Sequence, residues 1–436
     1  MIFERALLQL LVHVRLLMGQ NYSAPIIVLR PRRRGVEPIV RIICGAIRSR
    51  TLISRRAAEI HPFEVMEVQS RARALEDAGK RVIHMEIGEP DFTAPEPVVE
   101  AGVRALREGL TAYTPALGLP ALREAIAEHY ASRYGVAVPA ARIAVTAGAS
   151  GALLLVLALY VDPGDEILVP DPGYPGYRQF VRAFEGVARA MNVGAESAFQ
   201  PTLDSVRHAW GPKTRGLLVG SPSNPSGTLL ARDELRRIAQ FVAERDGVLI
   251  VDEIYQGLVY GEAPSTALDL RGEVVLVNSF SKYFCMTGWR LGWAVLPQPA
   301  TRAFENVAQH LFICPSAAAQ HAALAAFEPP ALEILEGRRR EFERRRDFIV
   351  PELRRAGLAV PCTPNGAFYV YADCSALDRD AKRFALGLLE RGGVAATPGI
   401  DFGLNQTRHF LRFAYTRSMQ ELHEAAQRIA RFCAGA

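Results

Sequence analysis

Residues 279–290 read S-F-S-K-Y-F-C-M-T-G-W-R, and the rest of this chain is organised around them. An apolar, β-branched run at residues 273–278 precedes them and is typical of a buried parallel strand. Lys282 therefore lies in a loop at the carboxyl end of a strand, where open α/β sheets bind their ligands. The alternative interpretation is an ordinary loop lysine with a nearby ion pair.

Lysine is scarce in this sequence. Of 51 basic residues only four are lysines, the others being Lys80, Lys213 and Lys382, which lie in polar turns or on an amphipathic helix. Arginine carries surface charge equally well, but it stays protonated and cannot form a Schiff base. Scarcity and position together make Lys282 a candidate nucleophile.

The length and amino-acid composition limit which class of protein this chain can be. The chain has 436 residues, 49% hydrophobic and 22% charged, which suits two or three globular domains. No apolar run approaches the ~20 residues of a membrane span. The six cysteines form no C-x-x-C pair, which argues against a disulfide framework or a zinc site and suits a reducing cytoplasm. We expect no metal and a cytoplasmic location.

The net charge of +5 is unevenly distributed. Residues 1–56 hold eleven arginines and two glutamates, a net charge of +9, while the remaining 40 basic and 44 acidic residues give −4. The basic total is therefore no evidence for nucleic acid binding.

Residues 1–52 are interpreted as a basic N-terminal extension outside the fold. They could be an organelle transit peptide, a basic membrane-surface segment, or a disordered or upstream-translated tail. The last is favoured because arginine-rich, proline-interrupted sequence offers little core to bury. The segment is too irregular for a helix-turn-helix domain.

Strand and helix patterns alternate from residue 62 to about residue 296. Strands are predicted at 82–87, 143–146, 166–170, 215–220, 247–251, 273–278 and 291–296, with helices between them, one of which begins near Ala152 after the small-residue loop 147–151. This order implies right-handed parallel crossovers and an α/β fold. Beyond residue 330, a long charged helix at 331–357, strands at 368–372 and 409–415, and helices at 381–392 and up to Cys433 predict a smaller α+β domain. The charges of the long helix are interpreted as a solvated, salt-bridged face.

Polar and aromatic residues recur where the predicted strands end or helices begin: Ser150, Tyr174, Asn224, Asp252, Tyr255, Ser279, Lys282 and Arg290. Each alone has a plain structural explanation, such as a helix cap, a turn residue or an aromatic ring that covers the hydrophobic core. Together they supply an amine, a carboxylate, an aromatic plate and phosphate donors, which is what pyridoxal phosphate needs.

The sequence resembles the class I/II pyridoxal-phosphate aminotransferases of the aspartate aminotransferase fold type, in the G-E-P-D-F subgroup. The resemblance covers about residue 52 to the C-terminus. It is carried by I-G-E-P-D-F at 87–92, Y-T-P-A-L-G at 113–118, T-A-G-A-S-G-A-L at 146–153, D-P-G-Y-P at 171–175, N-P-S-G-T at 224–228, D-E-I-Y at 252–255, S-F-S-K-Y-F-C-M-T-G-W-R-L-G at 279–292, N-G-A-F-Y at 365–369 and F-L-R-F-A-Y at 410–415. Cys285 departs from the usual Ser, Gly or Ala, without an expected consequence.

This resemblance implies fold type I, with a mostly parallel seven-stranded sheet flanked by helices. It divides the chain into an N-terminal arm at 53–92 that also forms part of the small domain, a large cofactor domain at 93–330 and a small C-terminal domain at 331–436.

It also implies roles toward the cofactor. Lys282 would be the Schiff-base lysine, Asp252 would pair with the pyridinium nitrogen, and Tyr174 would stack on the ring. Asn224 and Tyr255 would bond the ring phenolate oxygen. The phosphate would be held by Ala149, Ser150, Ser279 and Arg290.

Toward the substrate and the partner subunit, Arg412 would clamp the α-carboxylate, with Gly88 and Asn224 nearby. Tyr113 would reach the phosphate of the neighbouring site, which makes the protein a homodimer.

The implied activity is ping-pong transfer of an amino group from an L-amino acid to a 2-oxo acid, with 2-oxoglutarate as the expected acceptor. A pyridoxal-phosphate C–S β-lyase on the same scaffold is the main alternative. A cofactor-binding transcription regulator is a further alternative. It would need a DNA-binding domain ahead of residue 52, and residues 1–52 do not supply one. No residue is identified as a clamp for a side-chain carboxylate, so aspartate, alanine, aromatic and branched donors all stay open.

Overall fold

The computed structural model describes residues 53–60, 62–270 and 272–435. The predicted N-terminal extension, residues 1–52, lies outside the described residues. The chain divides between Ala58 and Glu59, and the described part of the first unit contains the short helix α1 (Arg55–Ala58). Residues 59–436 form the other unit, to which everything below refers.

Seven strands of this unit make one central sheet. The described strands are β1 (Ile83–His84), β2 (Ile143–Thr146), β3 (Glu166–Asp171), β4 (Val187–Asn192), β5 (Thr214–Gly220), β6 (Val248–Asp252), β7 (Val274–Ser279), β8 (Gly292–Val295), β9 (Tyr369–Asp373), β10 (Val394–Ala395), β11 (Thr397–Pro398) and β12 (Phe410–Ala414). The central sheet has the order β2-β8-β7-β6-β5-β3-β4. In this sheet β8 alone runs opposite to the other six strands, so the predicted mostly parallel seven-stranded sheet is confirmed.

Helices cover both faces of this sheet. The described helices are α2 (Glu64–Asp77), α3 (Glu96–Arg107), α4 (Pro120–Tyr134), α5 (Gly148–Tyr160), α6 (Pro175–Ala183), α7 (Leu203–Ala209), α8 (Arg232–Ala243), α9 (Thr301–Leu311), α10 (Ala317–Leu324), α11 (Pro329–Arg355), α12 (Ala381–Gly387) and α13 (Met419–Ala434). Along β6, Ile250 packs into a cluster with residues of α5, whereas Leu249 and Val251 pack with residues of α8. Burial on both faces explains why the strand is a continuous aliphatic run.

Several predicted boundaries are wrong. The strand predicted at 82–87 is limited to β1. The helix predicted at 381–392 has these bounds, although its last part, Leu388–Gly392, is π-helical rather than α-helical. Helix α5 begins at Gly148, so the predicted loop 147–151 is mostly its first turn. The strand β4 was not predicted, since its residues V-A-R-A-M-N alternate only weakly and are largely exposed at the sheet edge.

Two smaller sheets lie outside the central one. Strands β11, β12 and β9 form an antiparallel sheet, and β1 pairs in parallel with β10. Within the described residues, none of the helices combines the length and apolarity that crossing a membrane requires.

The charged helix α11 is only in part the predicted solvated face. Arg344 is exposed and pairs with Glu341 on its own helix. Arg345 is buried, and it pairs with Glu341 at 3.0 Å and with Asp91 at 2.7 Å. A buried guanidinium needs such partners, so this arginine ties α11 to the segment that follows β1.

Candidate active site

A cleft of about 500 Å³ opens at the carboxyl ends of β5, β6 and β7. The parallel pairing of these strands brings their last residues to one edge of the sheet. The cleft collects the predicted site residues Gly88, Ala149, Ser150, Tyr174, Asn224, Asp252, Tyr255, Ser279, Lys282, Arg290 and Arg412. Tyr113 does not line it and is 82% exposed.

The first turn of α5 forms one wall of an anion cradle. No side chain caps this helix, so the amides of the turn that holds Ala149 and Ser150 have no capping partner. Gly148 has a φ of +73°, and a Cβ there would lie 2.9 Å from Nη2 of Arg290. Free amides, a helix N-terminus and a guanidinium together favour a phosphate-like group.

Ser279 and Gly292 complete this wall. Ser279 is buried at the end of β7, and its hydroxyl bonds Ser281 at 2.9 Å and donates to the carbonyl of Leu291 at 3.2 Å. A Cβ on Gly292 would lie 2.8 Å from the amide nitrogen of Ala149, so only glycine lets β8 approach the first turn of α5 this closely.

Asp252 is a buried carboxylate at the end of β6. Its Oδ2 accepts from the hydroxyl of Tyr177 at 2.7 Å, and its Oδ1 accepts from the amide of Ile254 at 3.0 Å. Burial raises the pKa of Asp252 to about 6, although these hydrogen bonds oppose the shift. In the described part of the chain it has no ion-pair partner within 4.0 Å, which leaves it available for a positively charged group in the cleft.

The ammonium of Lys282 faces the same cleft. Its Nζ donates to the carbonyl oxygen of Gly88 at 2.7 Å. Burial lowers the pKa of Lys282 to about 8, and the nearby charges of Arg412 and Arg290 act in the same direction. A lysine amine that loses its proton near neutral pH is a competent nucleophile and base.

Tyr174 stands at the start of α6 and lines the cleft as an aromatic plate. Its ring meets that of Tyr177 edge to face, with centroids 5.2 Å apart and planes at 80°. Burial raises the pKa of Tyr174 to about 12, so the hydroxyl stays protonated at neutral pH.

Arg412 projects from β12 into the cleft and is buried. Its Nη1 donates to Oδ1 of Asn224 at 2.9 Å, and its Nη2 donates to the carbonyl of Glu86 at 2.6 Å. The guanidinium carbon lies 4.4 Å from the ring centre of Tyr369 and 5.0 Å from that of Phe402. This guanidinium is oriented from several sides, as a bidentate carboxylate site requires.

Tyr177 and Tyr369 belong to the site, although the sequence did not single them out. Tyr369 shares a hydrogen bond of 2.7 Å with the hydroxyl of Tyr255. The signal for Tyr177 was its spacing, because a residue three positions after Tyr174 on a helix faces the same side. Tyr369 ended the N-G-A-F-Y motif without a role being attached to it.

Cys285 has no part in this chemistry. It is buried beside the cleft, and burial raises the pKa of its thiol to about 11. A thiol in this state is a small apolar side chain and a poor nucleophile.

Comparison with known proteins places this site in a family. The family described as aminotransferase class I and II matches residues 80–429. The chain belongs to this family, and it is a pyridoxal-phosphate-type transaminase of the aspartate aminotransferase fold.

Individual relatives are similar in sequence to this chain over most of their length. The chain is 38% identical to a valine–pyruvate aminotransferase of Mycobacterium tuberculosis over 85% of this chain and 96% of the relative. It is 36% identical to an aspartate/prephenate aminotransferase of Thermus thermophilus over 87% and 98%. The structure of a Thermus thermophilus aspartate aminotransferase with maleate superposes with a TM-score of 0.82, at 36% identity over 87% of this chain and 99% of that one.

Proposed function

We propose that the cleft binds pyridoxal 5'-phosphate and moves an amino group from an L-amino acid to a 2-oxo acid. The observation that carries the proposal is the buried Asp252 carboxylate, which shares one cleft with the Lys282 amine and an anion cradle. These groups match the ring nitrogen, the aldehyde and the phosphate of the cofactor. The names of these relatives span valine, pyruvate, aspartate and prephenate, so they leave the donor of this chain open.

The residues present fit the cofactor. The first turn of α5 with Ala149 and Ser150, joined by Ser279 and Arg290, would hold the phosphate. Asp252 would keep a proton on the ring nitrogen, and Tyr177 would hold that carboxylate in place. Tyr174 would cover one face of the ring, while Asn224 and Tyr255 would bond its phenolate oxygen.

Lys282 is the group proposed to attach the cofactor and then to move the proton. Bound there, pyridoxal phosphate supplies an electron-withdrawing ring that stabilises negative charge at the substrate Cα. With a pKa of about 8, Lys282 gives up its proton far more readily than an ordinary lysine, so its neutral amine can take the Cα proton near pH 8 and return it later. The carbonyl of Gly88, which accepts from Nζ, fixes where this amine rests.

Arg412 is proposed to bind the substrate α-carboxylate. Its two terminal nitrogens already point at oxygen atoms of Asn224 and Glu86. A planar guanidinium held in this way presents a bidentate face to a carboxylate and orients the substrate Cα toward Lys282.

We also propose that the protein acts as a homodimer, in a reducing cytoplasm. Tyr113 is strongly exposed although it is aromatic, and Val103, Leu106 and Leu110 are exposed apolar residues on or just after α3. Burial against a second copy would cover this surface and bring Tyr113 toward the neighbouring site.

A reaction with the donor alone tests the proposed activity. The holoenzyme mixed with a panel of L-amino acids and no acceptor should release one 2-oxo acid per cofactor and then stop, because the amino group stays on the enzyme. Addition of a 2-oxo acid should restart turnover. Continuous release of pyruvate and ammonia from one amino acid would instead identify a β-lyase.

The pH dependence of stability tests the environment of Lys282. Its pKa is about 8 in the folded chain and 10.5 unfolded, so below pH 8 a buried charge opposes folding, and this penalty disappears as pH rises from 8 to 10.5. Lys282→Met in the cofactor-free chain should raise the free energy of unfolding at pH 7 by on the order of 2 kcal/mol, a gain that vanishes near pH 10.5. Urea unfolding at pH 7, 8, 9 and 10 measures it.

Lys80→Met is the matched control, since Lys80 is exposed. A gain for Lys282→Met that stays constant over this pH range would show that packing, not charge, causes it.

A further inference from the structure

The charged and apolar residues around Arg412 limit which substrate side chains the cleft can bind. We infer that the side-chain subsite accepts apolar, uncharged groups, so that donor and acceptor are both monocarboxylic acids, such as leucine or valine with pyruvate. This inference rests on the proposed function, since it assumes that Arg412 binds the α-carboxylate.

The cations of the cleft are already engaged. Among the described residues, those that line it are Lys282, Arg290 and Arg412. Lys282 serves the chemistry, Arg290 faces the anion cradle at α5, and Arg412 takes the α-carboxylate. A second carboxylate on the substrate would find no further positive partner among the described residues that line the cleft.

Acidic side chains line the same cleft. Glu89 is exposed and accepts a hydrogen bond from the hydroxyl of Thr287. Asp401 is buried, and its Oδ1 accepts from the amide of Glu64 at 2.9 Å. Two carboxylates here would repel the distal carboxylate of aspartate, glutamate or 2-oxoglutarate, and a like charge without a partner is costly to bury.

Apolar side chains also line this cleft. Phe402 packs against the guanidinium of Arg412, and Phe63, Val65 and Ile87 are further lining residues of the same cleft. Phe63 is 39% exposed and its ring stacks near that of Tyr174, with centroids 6.4 Å apart. An aliphatic side chain placed here removes exposed apolar surface from water.

The stretch around Tyr113, which is proposed to reach the neighbouring cleft, adds no cation. Residues 109–116, around Tyr113, read G-L-T-A-Y-T-P-A and contain neither lysine nor arginine. In a symmetric dimer this stretch would bring a tyrosine and apolar groups to the neighbouring cleft.

The acceptor follows from the donor. In a ping-pong reaction both substrates use the same subsite in turn, so the groups that reject aspartate also reject 2-oxoglutarate. The acceptor inferred here therefore differs from the 2-oxoglutarate that the family resemblance implies.

A substrate panel on the full-length holoenzyme tests the inference. We expect kcat/KM for leucine or valine to exceed that for aspartate and glutamate by about 10²-fold or more, with pyruvate similarly preferred over 2-oxoglutarate. Aspartate or glutamate within about tenfold of the best aliphatic donor overturns the inference but leaves the proposed function standing. No conversion of any donor overturns both.

Binding without turnover gives an independent measurement. The unreactive monocarboxylate 4-methylpentanoate should raise the melting temperature of the holoenzyme more than the dicarboxylate maleate at equal concentration. The reverse order counts against the inference.

Phe63→Ala locates the subsite. We expect kcat/KM for leucine to fall about tenfold more than that for alanine, because only the longer side chain reaches Phe63. Met66→Ala is the matched control, since Met66 is 54% exposed in α2, which begins directly after Phe63, and does not line the cleft. An unchanged leucine-to-alanine ratio in Phe63→Ala contradicts this placement.

Discussion

Lys282→Ala is expected to abolish transamination, with a fall in kcat/KM of about 10⁴-fold or more. The substitution removes the one amine in the described cleft that can both attach the cofactor and move the Cα proton. Arginine side chains cannot replace it, because they stay protonated. Steady-state rates with a donor and a 2-oxo acid measure the loss.

A covalent readout separates attachment from turnover. After borohydride reduction, the cofactor should stay bound to the wild-type chain, and peptide mapping should place it on Lys282, whereas Lys282→Ala should release it on denaturation. Lys213→Ala is the control, because it removes the same group from an exposed turn. Wild-type activity in Lys282→Ala would rule out the proposed role.

Much of the cleft was predictable because parallel strands end at one edge of a sheet. The runs that became β6 and β7 are continuous aliphatic sequences that end in Asp252 and Ser279, and each residue lies where its strand predicts. Lys282 follows from the same reasoning. The hydrophobic pattern of a strand and the position of a residue at its end were sufficient to predict where these residues lie, because each depends on a single strand.

Contacts between distant segments were not predictable in this way. The hydroxyls of Tyr369, at the start of β9, and Tyr255 meet although the two residues lie 114 positions apart in the sequence. Arg412 entered the site through the family resemblance, since no spacing within the chain relates it to Lys282. Tertiary packing brings such pairs of residues together, and the local sequence pattern contains no information about these contacts.

The predicted start of α5 was wrong for a different reason. Helix starts are recognised by a side chain that caps the first amides, and Ala147 at this position provides none. The run A-G-A-S-G therefore resembled a loop. The missing cap has a functional explanation under the proposed function, because amides left without a side-chain partner can bind a phosphate.

Asp252→Asn is expected to lower kcat/KM by about 10³-fold, the second largest effect at this site. Asparagine has nearly the same shape. Its Oδ1 can still accept from the amide of Ile254, and its amide nitrogen can donate to the hydroxyl of Tyr177, so the fold should persist. The side chain loses the negative charge that would hold a proton on the cofactor ring nitrogen. Half-reaction rates and the cofactor absorbance of the variant measure the change.

Two further variants separate the charge of Asp252 from its position. Asp252→Glu keeps the charge and should recover part of the lost activity, whereas Tyr177→Phe removes only the 2.7 Å hydrogen bond to Oδ2 and should cost about tenfold. If Asp252→Asn matched the wild-type enzyme, the carboxylate would have no role beyond accepting hydrogen bonds. Because burial raises the pKa of Asp252 to about 6, the carboxylate is mostly ionised at pH 7.5, and the comparison is best made there.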